Sequence, residues 1–450
     1  MHKRISAFLT FILFLSFTIQ AQQIQDQWPS YRGYKACGVI DNANLPNYWD
    51  INQNKNIKWK KDIEGLGMSN PVIWGDKLLI TTAISKQDSG GFKAGIYGNI
   101  ESIEDESEHE WQVICLNKNT GELIWKQTAY TGIPKQKRHS KSSHANSTIA
   151  TDGNFIVAFF GSEGLYCYDM EGNLKWTKDF GTLKSVFFAA ESAEWEFASS
   201  PIIHEGVVII QCDVLDNSFI ATYNAASGKE IWKKKRKEYP GWCTPNIYEN
   251  DGKTIIAVNG FKHRGGYDFE TGKEIWNMSG GGDIQIPTPI IKDDLIYFNS
   301  AHGKSSPILA VKTSAIGDIT LEKEQTTNDY IAWSIARGGA YMQTMLIYGD
   351  YLYNFRWNGN IQCLDAKTGQ EIYKEKLGKA ESFTASPVAS DGKIYIPNDN
   401  GKVYVIKAGE TFEVISKNYL RDLCLVTPSI TKGIIYFRTQ SGIIAIAKDE

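Results

Sequence analysis

Residues 220–232 read IATYNAASGKEIW: a run of strand-forming residues, a turn with Ser-Gly, and a second run that ends in tryptophan. The pattern returns clearly at 113–125, 165–176, 265–276 and 361–373, and more weakly at 308–320 and 403–414. The tryptophans at 125, 176, 232 and 276 follow one another at intervals of 51, 56 and 44 residues. Repeats of this length with four short strands each are typical of the blades of a β-propeller.

A first hairpin precedes each of these second hairpins, and its first strand often starts at Ser-Pro or Thr-Pro. Proline at that place costs no ladder hydrogen bond. Eight first hairpins can be found, at 70–81, 147–160, 200–211, 244–258, 288–299, 343–355, 386–397 and 427–438. Residues 442–447 then form a third strand with no fourth after it, and 56–62 a fourth strand with no third before it. We therefore predict an all-β fold: an eight-bladed β-propeller of four-stranded antiparallel blades, closed by N- and C-terminal strands that share one blade.

The N-terminus has the features of a signal peptide. Lys3 and Arg4 precede an apolar run over 5–19, which is too short to span a bilayer comfortably. We predict a signal peptide at 1–21, an N-terminal extension at 22–55 and the propeller at 56–450. The first cysteine downstream is Cys37, so we expect no lipid-attachment cysteine, and no transmembrane segment once the signal is removed. The expected location is the periplasm or the outside of the cell.

The repeat also assigns several aromatic and sulfur side chains to packing. A large aromatic side chain at the end of each fourth strand is expected to dock between blades; these residues are Trp59, Trp125, Trp176, Trp232, Trp276 and Tyr373. Cys115, Cys167 and Cys363 share one repeat position, which other copies fill with small residues: Thr222, Gly266, Ala310, Val405 and Ala445. These three cysteines are therefore predicted to act as small buried side chains rather than in disulfides.

The stretch Cys363 to Gly369 (CLDAKTG), closing on Tyr373, resembles the tryptophan-docking repeat of pyrroloquinoline-quinone propellers. The outer-membrane assembly lipoprotein of the propeller type has similar repeats. The run from Trp28 to the C-terminus is similar to the exported quinoprotein-like propeller proteins of bacteria. The resemblance implies the fold but does not fix an activity.

Loop lengths indicate which face of the ring carries function. Turns inside the hairpins are short, whereas the connections on the other face are long, at 83–111, 128–146, 179–199 and 233–243. Long loops are more often functional than core-building. The acidic loop at 83–111 is predicted to be solvated and flexible rather than a calcium site. Basic and aromatic side chains on this face suit a carbohydrate or an anionic small molecule, and the candidate ligand-binding residues are His139, His144, Trp195, Arg236, Trp242, His263, Arg264, His302, Arg337, Arg356 and Trp357.

Three classes of function are considered, of which the third, a hydrolase or lyase acting on polysaccharide, is supported only by the exposed aromatic residues and the predicted export. The first is a non-catalytic ligand-binding or protein-interaction scaffold of the cell envelope, extending to glycan handling, monomeric, with an envelope protein or a small ligand as partner. The second, implied by the resemblance, is an alcohol or sugar dehydrogenase with pyrroloquinoline quinone and calcium; Glu191, Glu194 and Glu196 are then candidate bases or calcium ligands. No metal-binding motif, adjacent cysteine pair or haem-attachment motif is found, which favours the first. A formal charge of −3 gives no electrostatic reason for nucleic-acid binding.

Overall fold

The computed structural model describes residues 27–87, 90–95 and 99–449, so the predicted signal peptide lies outside the described residues. Eight four-stranded antiparallel blades form a closed ring, as predicted. First strands of neighbouring blades contact one another, which places them around the central axis. The helices of the described residues are two three-residue 3-10 turns, Tyr34–Ala36 and Gly161–Glu163, and neither could cross a membrane.

Strand β1 (Ile57–Asp62) is followed by seven blades that are continuous in sequence, each written here from its inner strand outwards. Blade 1 contains β2 (Val72–Trp74), β3 (Lys77–Ser85), β5 (His109–Asn117) and β6 (Leu123–Gly132); blade 2 contains β8 (Ala150–Thr151), β9 (Phe155–Phe159), β10 (Leu165–Asp169) and β11 (Leu174–Lys178); blade 3 contains β14 (Ile202–His204), β15 (Val207–Cys212), β16 (Phe219–Asn224) and β17 (Glu230–Lys235); blade 4 contains β18 (Asn246–Asn250), β19 (Lys253–Val258), β20 (Arg264–Asp268) and β21 (Glu274–Met278).

The remaining blades follow in the same order. Blade 5 contains β22 (Ile290–Lys292), β23 (Leu295–Asn299), β24 (Ile308–Lys312) and β26 (Ile331–Ile335); blade 6 contains β27 (Leu346–Tyr348), β28 (Tyr351–Phe355), β29 (Asn360–Asp365) and β30 (Glu371–Lys376); blade 7 contains β31 (Val388–Ser390), β32 (Lys393–Pro397), β33 (Lys402–Lys407) and β34 (Val414–Tyr419); blade 8 contains β35 (Ser429–Thr431), β36 (Ile434–Arg438), β37 (Gly442–Ile446) and β1. Two small sheets lie in the long loops: β4 (Ser102–Ile103) with β7 (Arg138–His139), and β12 (Val186–Phe187) with β13 (Ala190–Glu194).

The ring closes through the antiparallel pair of β1 and β37. Its register places Trp59 opposite Ala445 and Asp62 opposite Gly442. Buried apolar side chains then form clusters between neighbouring blades, and the largest joins blades 7, 8 and 1. Because the two ends of the chain build one sheet, the closing blade has no open edge on its third strand.

Five tryptophans share one docking geometry between blades. The indole N–H of each donates to a carbonyl in the turn of the next blade at 2.7–3.2 Å; the pairs are Trp59 with Lys118, Trp125 with Met170, Trp176 with Ala225, Trp232 with Phe269 and Trp333 with Ala366. The ring of each covers a glycine of that turn. Trp276 differs, since its N–H donates to the Tyr248 hydroxyl of its own blade at 2.8 Å. Tyr373 packs against Phe412 of blade 7.

The small-residue position of the repeat lies directly opposite the docking aromatic. Cys115 pairs with Trp125, Cys167 with Trp176 and Cys363 with Tyr373 across neighbouring strands. All seven cysteines are free. The bulk of the aromatic ring explains why the opposite position takes only small side chains.

The repeat predicted at 308–320 is correct for its first strand but wrong for its second. The fourth strand of blade 5 is β26, and Ala310 pairs with Trp333 rather than with a residue near 320. Residues Gly317–Asp318 form a short strand, β25, that pairs in parallel with β21 of the preceding blade. An insertion between the third and fourth strands therefore displaces the docking tryptophan along the sequence.

The described part of the N-terminal extension crosses the axis on the short-turn face. Its backbone bonds to Ile73 of blade 1, Thr151 of blade 2, Ala389 of blade 7 and Gly433 of blade 8. Arg32 is fully buried at the centre, where its guanidinium donates to carbonyls of blades 6 and 7. The extension therefore closes the short-turn end of the channel.

Candidate functional site

The inner strands begin at a ring of hydroxyl groups around the axis. In six places a backbone N–H donates at 2.9–3.1 Å to the hydroxyl of the equivalent residue in the next blade; the donors are Asn70, Thr148, Ser200, Thr288, Thr344 and Ser386. Most of these residues come directly before a proline. The Ser/Thr-Pro pattern of the sequence thus indicates a hydrogen-bonded ring, which joins the inner strands at the end of the channel nearer the long-loop face.

Above this ring lies a cavity of about 210 Å³ that opens to the long-loop face, which we call the axial cup. Its lining includes Met68, Asn70, His139, Lys141, Trp195, Trp242, Tyr341, Met342, Thr384 and Leu425. Tyr31 of the N-terminal extension also lines it, and its hydroxyl lies 3.4 Å from the hydroxyls of Thr344 and Ser386. The cup is therefore blind: blades form its wall and the extension forms its floor.

The charged groups of the cup are paired. Lys141 Nζ lies 2.8 Å from Asp399 Oδ2, and the Asp399 side chain is fully buried. His139 Nε2 lies 2.7 Å from the Asn99 carbonyl, and its Nδ1 accepts the Lys141 N–H at 3.0 Å. Burial lowers the pKa of His139. The cup therefore presents a balanced ion pair and a neutral imidazole.

Aromatic side chains surround the mouth of the cup. Phe187 stacks on Trp195 with ring centroids 5.4 Å apart, and Phe188 stacks on Tyr239 at 4.4 Å. We call the whole group the rim cluster; its members are Phe187, Phe188, Trp195, Tyr239, Trp242, Phe261, His302 and Tyr341. All but Trp242 are partly exposed. The small sheet of β12 and β13 carries Phe187 and, in the turn between its strands, Phe188.

Beneath the rim lies a buried acid and imidazole network. Glu196 Oε2 is 2.7 Å from His144 Nδ1, and the Glu196 carbonyl accepts the Trp242 indole N–H at 2.8 Å. Burial raises the pKa of Glu196 to about 8. The pKa of Glu163 is also about 8, because of burial and the neighbouring Glu196 charge. Burial lowers the pKa of His144 to about 4.

Two predicted ligand-binding arginines are engaged inside the protein instead. Arg236 forms a bidentate pair with Asp213, at 2.7 and 3.1 Å, and both side chains are buried. Arg264 is 1% exposed and donates to Asn259 and Ser300. Arg236 also donates to the Tyr267 hydroxyl and the His263 carbonyl of blade 4, so the two guanidinium groups link blades 3, 4 and 5.

The other predicted residues are spread around the face. His263 Nε2 lies 2.7 Å from Glu274, and His302 Nδ1 lies 2.6 Å from Asp283. Arg337 is exposed and donates to the Lys304 carbonyl. Arg356 and Trp357 are half-buried at the end of the second strand of blade 6. Of the eleven candidates, the structure brings His139, Trp195 and Trp242 together in the cup.

The three glutamates of the enzymatic alternative do not converge. Glu191 is exposed, Glu194 accepts the Lys137 N–H, and Glu196 is turned to His144. In the described ranges no three His, Cys, Asp or Glu side chains are grouped so that they could hold a metal ion. These residues do not fit a calcium ion with a bound quinone, and we derive no step through either group.

The acidic loop is more ordered than its composition indicated. The Asp105 side chain is buried, and it accepts hydrogen bonds from Ser85 and Ser107. His109 lies 3.4 Å from the same carboxylate. The prediction of a wholly solvated loop is therefore wrong for this part, because buried partners from two blade-1 strands satisfy its polar groups.

Sequence reasoning missed several residues of the cup. Asn70 stands at the strand start that other blades fill with Ser or Thr, so alignment of the repeat would have placed it on the axis. Tyr31 and Tyr341 carried no such signal, because the path of the extension and the packing of the rim decide their positions.

Comparisons with known proteins agree with this architecture. A family model described as outer membrane protein assembly factor BamB matches residues 109–279 and 221–414. The BamB protein of Shewanella oneidensis is 20% identical over 264 residues, 47% of this chain, so the match spans 65% of that relative's length. The BamB protein of Moranella endobia is 21% identical over 364 residues, 80% of this chain and 76% of the relative.

Two solved structures share the fold. BamB from Moraxella catarrhalis is 13% identical with a TM-score of 0.54, covering 82% of this chain and 98% of that one. Quinohemoprotein alcohol dehydrogenase from Comamonas testosteroni is 12% identical with a TM-score of 0.59, covering 94% and 80%. At such identities the likeness concerns fold alone. The family model spans more than half of the chain, and the chain therefore belongs to the family of the outer membrane protein assembly factor BamB.

Proposed function

We propose that this protein is a protein-interaction scaffold of the bacterial cell envelope, which docks a partner protein on its long-loop face. The rim cluster is the observation that carries the proposal. Aromatic side chains are enriched at the centres of protein interfaces, where they supply most of the binding energy. Here eight such rings lie side by side at the mouth of a closed ring of blades.

The geometry of the rim suits docking because its rings are held in place before a partner arrives. Phe188 packs against both Tyr239 and Phe261, with ring centroids 4.4 and 5.5 Å away, and those two rings are 5.8 Å from each other. Lys262 Nζ lies 3.7 Å from the Tyr239 ring centre, which adds a positive charge to the aromatic surface. A surface that is already ordered loses little conformational freedom on binding.

The cellular location is part of the proposal. Relatives named as outer membrane assembly factors support an envelope protein. The signal peptide at residues 1–21, and with it a periplasmic or secreted location, remains a prediction, as does the monomeric state. Expression of the full chain fused to a periplasm-dependent reporter would test the location.

The docking surface can be tested by site-specific photocrosslinking in the native cell. A photoreactive amino acid at Phe188 should give a discrete crosslinked envelope protein. The matched control is Tyr419, which is 46% exposed on the outer strand of blade 7, away from the rim. Equal crosslinking from both positions, or none from Phe188, would refute docking at the rim.

A variant gives the complementary test. Phe188→Asp places a charge among the stacked rings and should abolish capture of that crosslinked protein, while the circular dichroism spectrum stays unchanged. Tyr419→Asp should leave capture intact. If the Phe188→Asp variant still captured the protein, the rim cluster would not be the docking site.

Two finer proposals concern small ligands of the same face. The dehydrogenase alternative lacks support from the described carboxylates, as noted above. Addition of pyrroloquinoline quinone and calcium to the purified protein, followed by a dye-linked oxidation assay, tests it directly. The link to glycan handling is better supported, because aromatic, amide and hydroxyl groups meet in the axial cup.

A further inference from the structure

We infer that the axial cup is a binding site for a single uncharged sugar ring, either free or at the end of a glycan chain. The inference deepens the glycan part of the proposed function and rests on it, but it is independent of protein docking at the rim. Four features of the cup carry it: carbon-rich walls, polar groups without partners, balanced charge and a closed floor.

The walls present carbon rather than polar edges. The indole N–H of Trp195 donates to the Ile100 carbonyl at 3.2 Å, and that of Trp242 to the Glu196 carbonyl. With both polar edges engaged by protein, the rings contribute apolar surface to the cavity. A sugar ring has C–H groups that pack on such surface, as amphipathic ligands do in pockets with few polar groups.

Polar groups without partners are placed among these walls. Asn70 is 3% exposed, lines the cup, and its Nδ2 donor has no partner. Thr384 also lines the cup, and its hydroxyl has no partner. The amide oxygen of Asn70 accepts from the Thr148 hydroxyl at 3.4 Å, but a buried N–H donor without an acceptor costs free energy, so a ligand that supplies an acceptor is favoured.

The ring of hydroxyl groups adds hydrogen-bond donors at the same depth in the cup as Asn70. The hydroxyls of Ser200, Thr244 and Thr427 each accept one backbone N–H, and all three line the cup. A hydroxyl that accepts a hydrogen bond can still donate its own proton. Ligand hydroxyls, which both donate and accept, are the natural complement to such a set.

Charge balance determines that the ligand is uncharged. Lys141 is neutralised by Asp399 at 2.8 Å, and both nitrogens of His139 are bonded. A charged ligand would lose its hydration without gaining an opposite charge, which is costly in a partly enclosed cavity. The floor at Tyr31 and the volume of about 210 Å³ limit the occupant to one ring, with any chain extending out of the mouth.

Calorimetric titration of the full mature chain tests the site. The probes are methyl glucoside, N-acetylglucosamine, a short oligosaccharide that ends in the better of the two, and glucuronate as the charged counterpart. We expect saturable binding of a neutral sugar, with glucuronate at least about tenfold weaker. Tighter binding of the oligosaccharide would identify a chain end as the ligand, and equal binding a free sugar.

Variants locate the binding. Asn70→Ala removes the unpartnered Nδ2 donor and Tyr341→Ala removes a half-buried ring at the mouth; each should weaken binding about tenfold. Tyr419→Ala, outside the cup, should have no effect. Failure of every sugar to bind, or binding unchanged in both cup variants, would overturn the inference. Crosslinking at Phe188 is read separately, so failure of the sugar site and failure of protein docking are distinguishable.

Discussion

Glu163 and Glu196 each carry a carboxyl group that is buried beneath the rim cluster. The buried imidazole of His144 lies beside the Glu196 carboxyl. The pKa of each carboxyl is about 8 in the folded protein, against an ordinary value of 4.5. Near neutral pH the Glu196 carboxyl is thus mainly protonated and can donate to His144 Nδ1, 2.7 Å away. Arg138 and Asp105 also act on His144, with opposite signs.

This network makes stability depend on pH. Between pH 4.5 and 8 the folded state holds protons that the unfolded chain has lost, so the free energy of unfolding falls as pH rises. His144 acts in the opposite sense between pH 4 and 6.5, since it stays neutral when folded. The carboxyls therefore dominate above pH 6.5.

Glu163→Gln should reduce that pH dependence. The amide is neutral at every pH and keeps an oxygen for the Lys135 N–H. Thermal melts at about pH 6.5 and about pH 8.5 should show a smaller loss of Tm for the variant than for the wild type. Glu171→Gln, at an exposed carboxylate, should behave like the wild type. Equal losses in all three proteins would contradict a buried protonated carboxyl at Glu163.

Trp232 shows what one docking side chain contributes. It is 8% exposed, lies between blades 3 and 4, and donates to the Phe269 carbonyl at 2.9 Å. Trp232→Ala should lower the free energy of unfolding by about 3–5 kcal/mol, as truncation of buried aromatics does. Denaturant titration measures this. Trp232→Phe, which keeps most of the ring, should lose less; an alanine variant as stable as the wild type would show that the docking contributes nothing.

At the scale of the element, the turn that receives a docking tryptophan requires glycine for two reasons. Gly272 has φ of +64°, and a Cβ added there would lie 2.6 Å from the Trp232 ring. Gly252 has φ of +71° in the hairpin turn of the same blade, but no atom lies within 4 Å of its Cβ position. At both positions a residue other than glycine would be held in an unfavourable left-handed backbone conformation. Only at position 272 would its Cβ also clash with the Trp232 ring.

This contrast predicts unequal effects of the same substitution. Gly252→Ala should cost about 1 kcal/mol, the backbone penalty of a left-handed conformation. Gly272→Ala should cost about 1–3 kcal/mol more, because the indole must move out of its interblade site. Chemical denaturation of both variants measures the difference. Equal losses would mean that the ring above Gly272 adjusts freely.

At the scale of the whole molecule, closure joins both ends of the described chain. Loss of β37 would leave β1 without a partner and expose an edge of β36. It would also open the cluster that includes Ile443, Ala445 and Ile446. Edges of this kind promote aggregation, and closed rings avoid them.

Truncation after Ser441 should therefore abolish cooperative unfolding and produce aggregation, as seen by calorimetry and light scattering. Truncation after Ala447 is the control. It keeps β37 and removes an exposed Lys55–Asp449 pair, and such surface pairs contribute little. A cooperative transition in the shorter protein would show that the ring does not depend on its shared blade.

The fold follows from local sequence to a large extent. Strands alternate with tight turns, docking tryptophans recur, and Ser/Thr-Pro marks five of the eight inner strands. Together these patterns predicted the number of blades and the shared closing blade. They are readable because each recurs at an equivalent position in most of the repeats. Trp333 escaped detection because the insertion before β26 broke the spacing on which the pattern depends.

The site, in contrast, is decided by tertiary structure. Residues as distant in sequence as Tyr31, Lys141 and Asp399 meet in the cup because the ring brings equivalent loops of different blades to one axis. The sequence showed that Arg236 and Arg264 stand on the long-loop face, but not that Asp213 and Asn259 already engage them. Residues of the same blade and of the next blade, which supply Tyr267 to Arg236 and Ser300 to Arg264, together determine whether such a charge is buried or free. The repeat pattern of the sequence does not show how these residues pack.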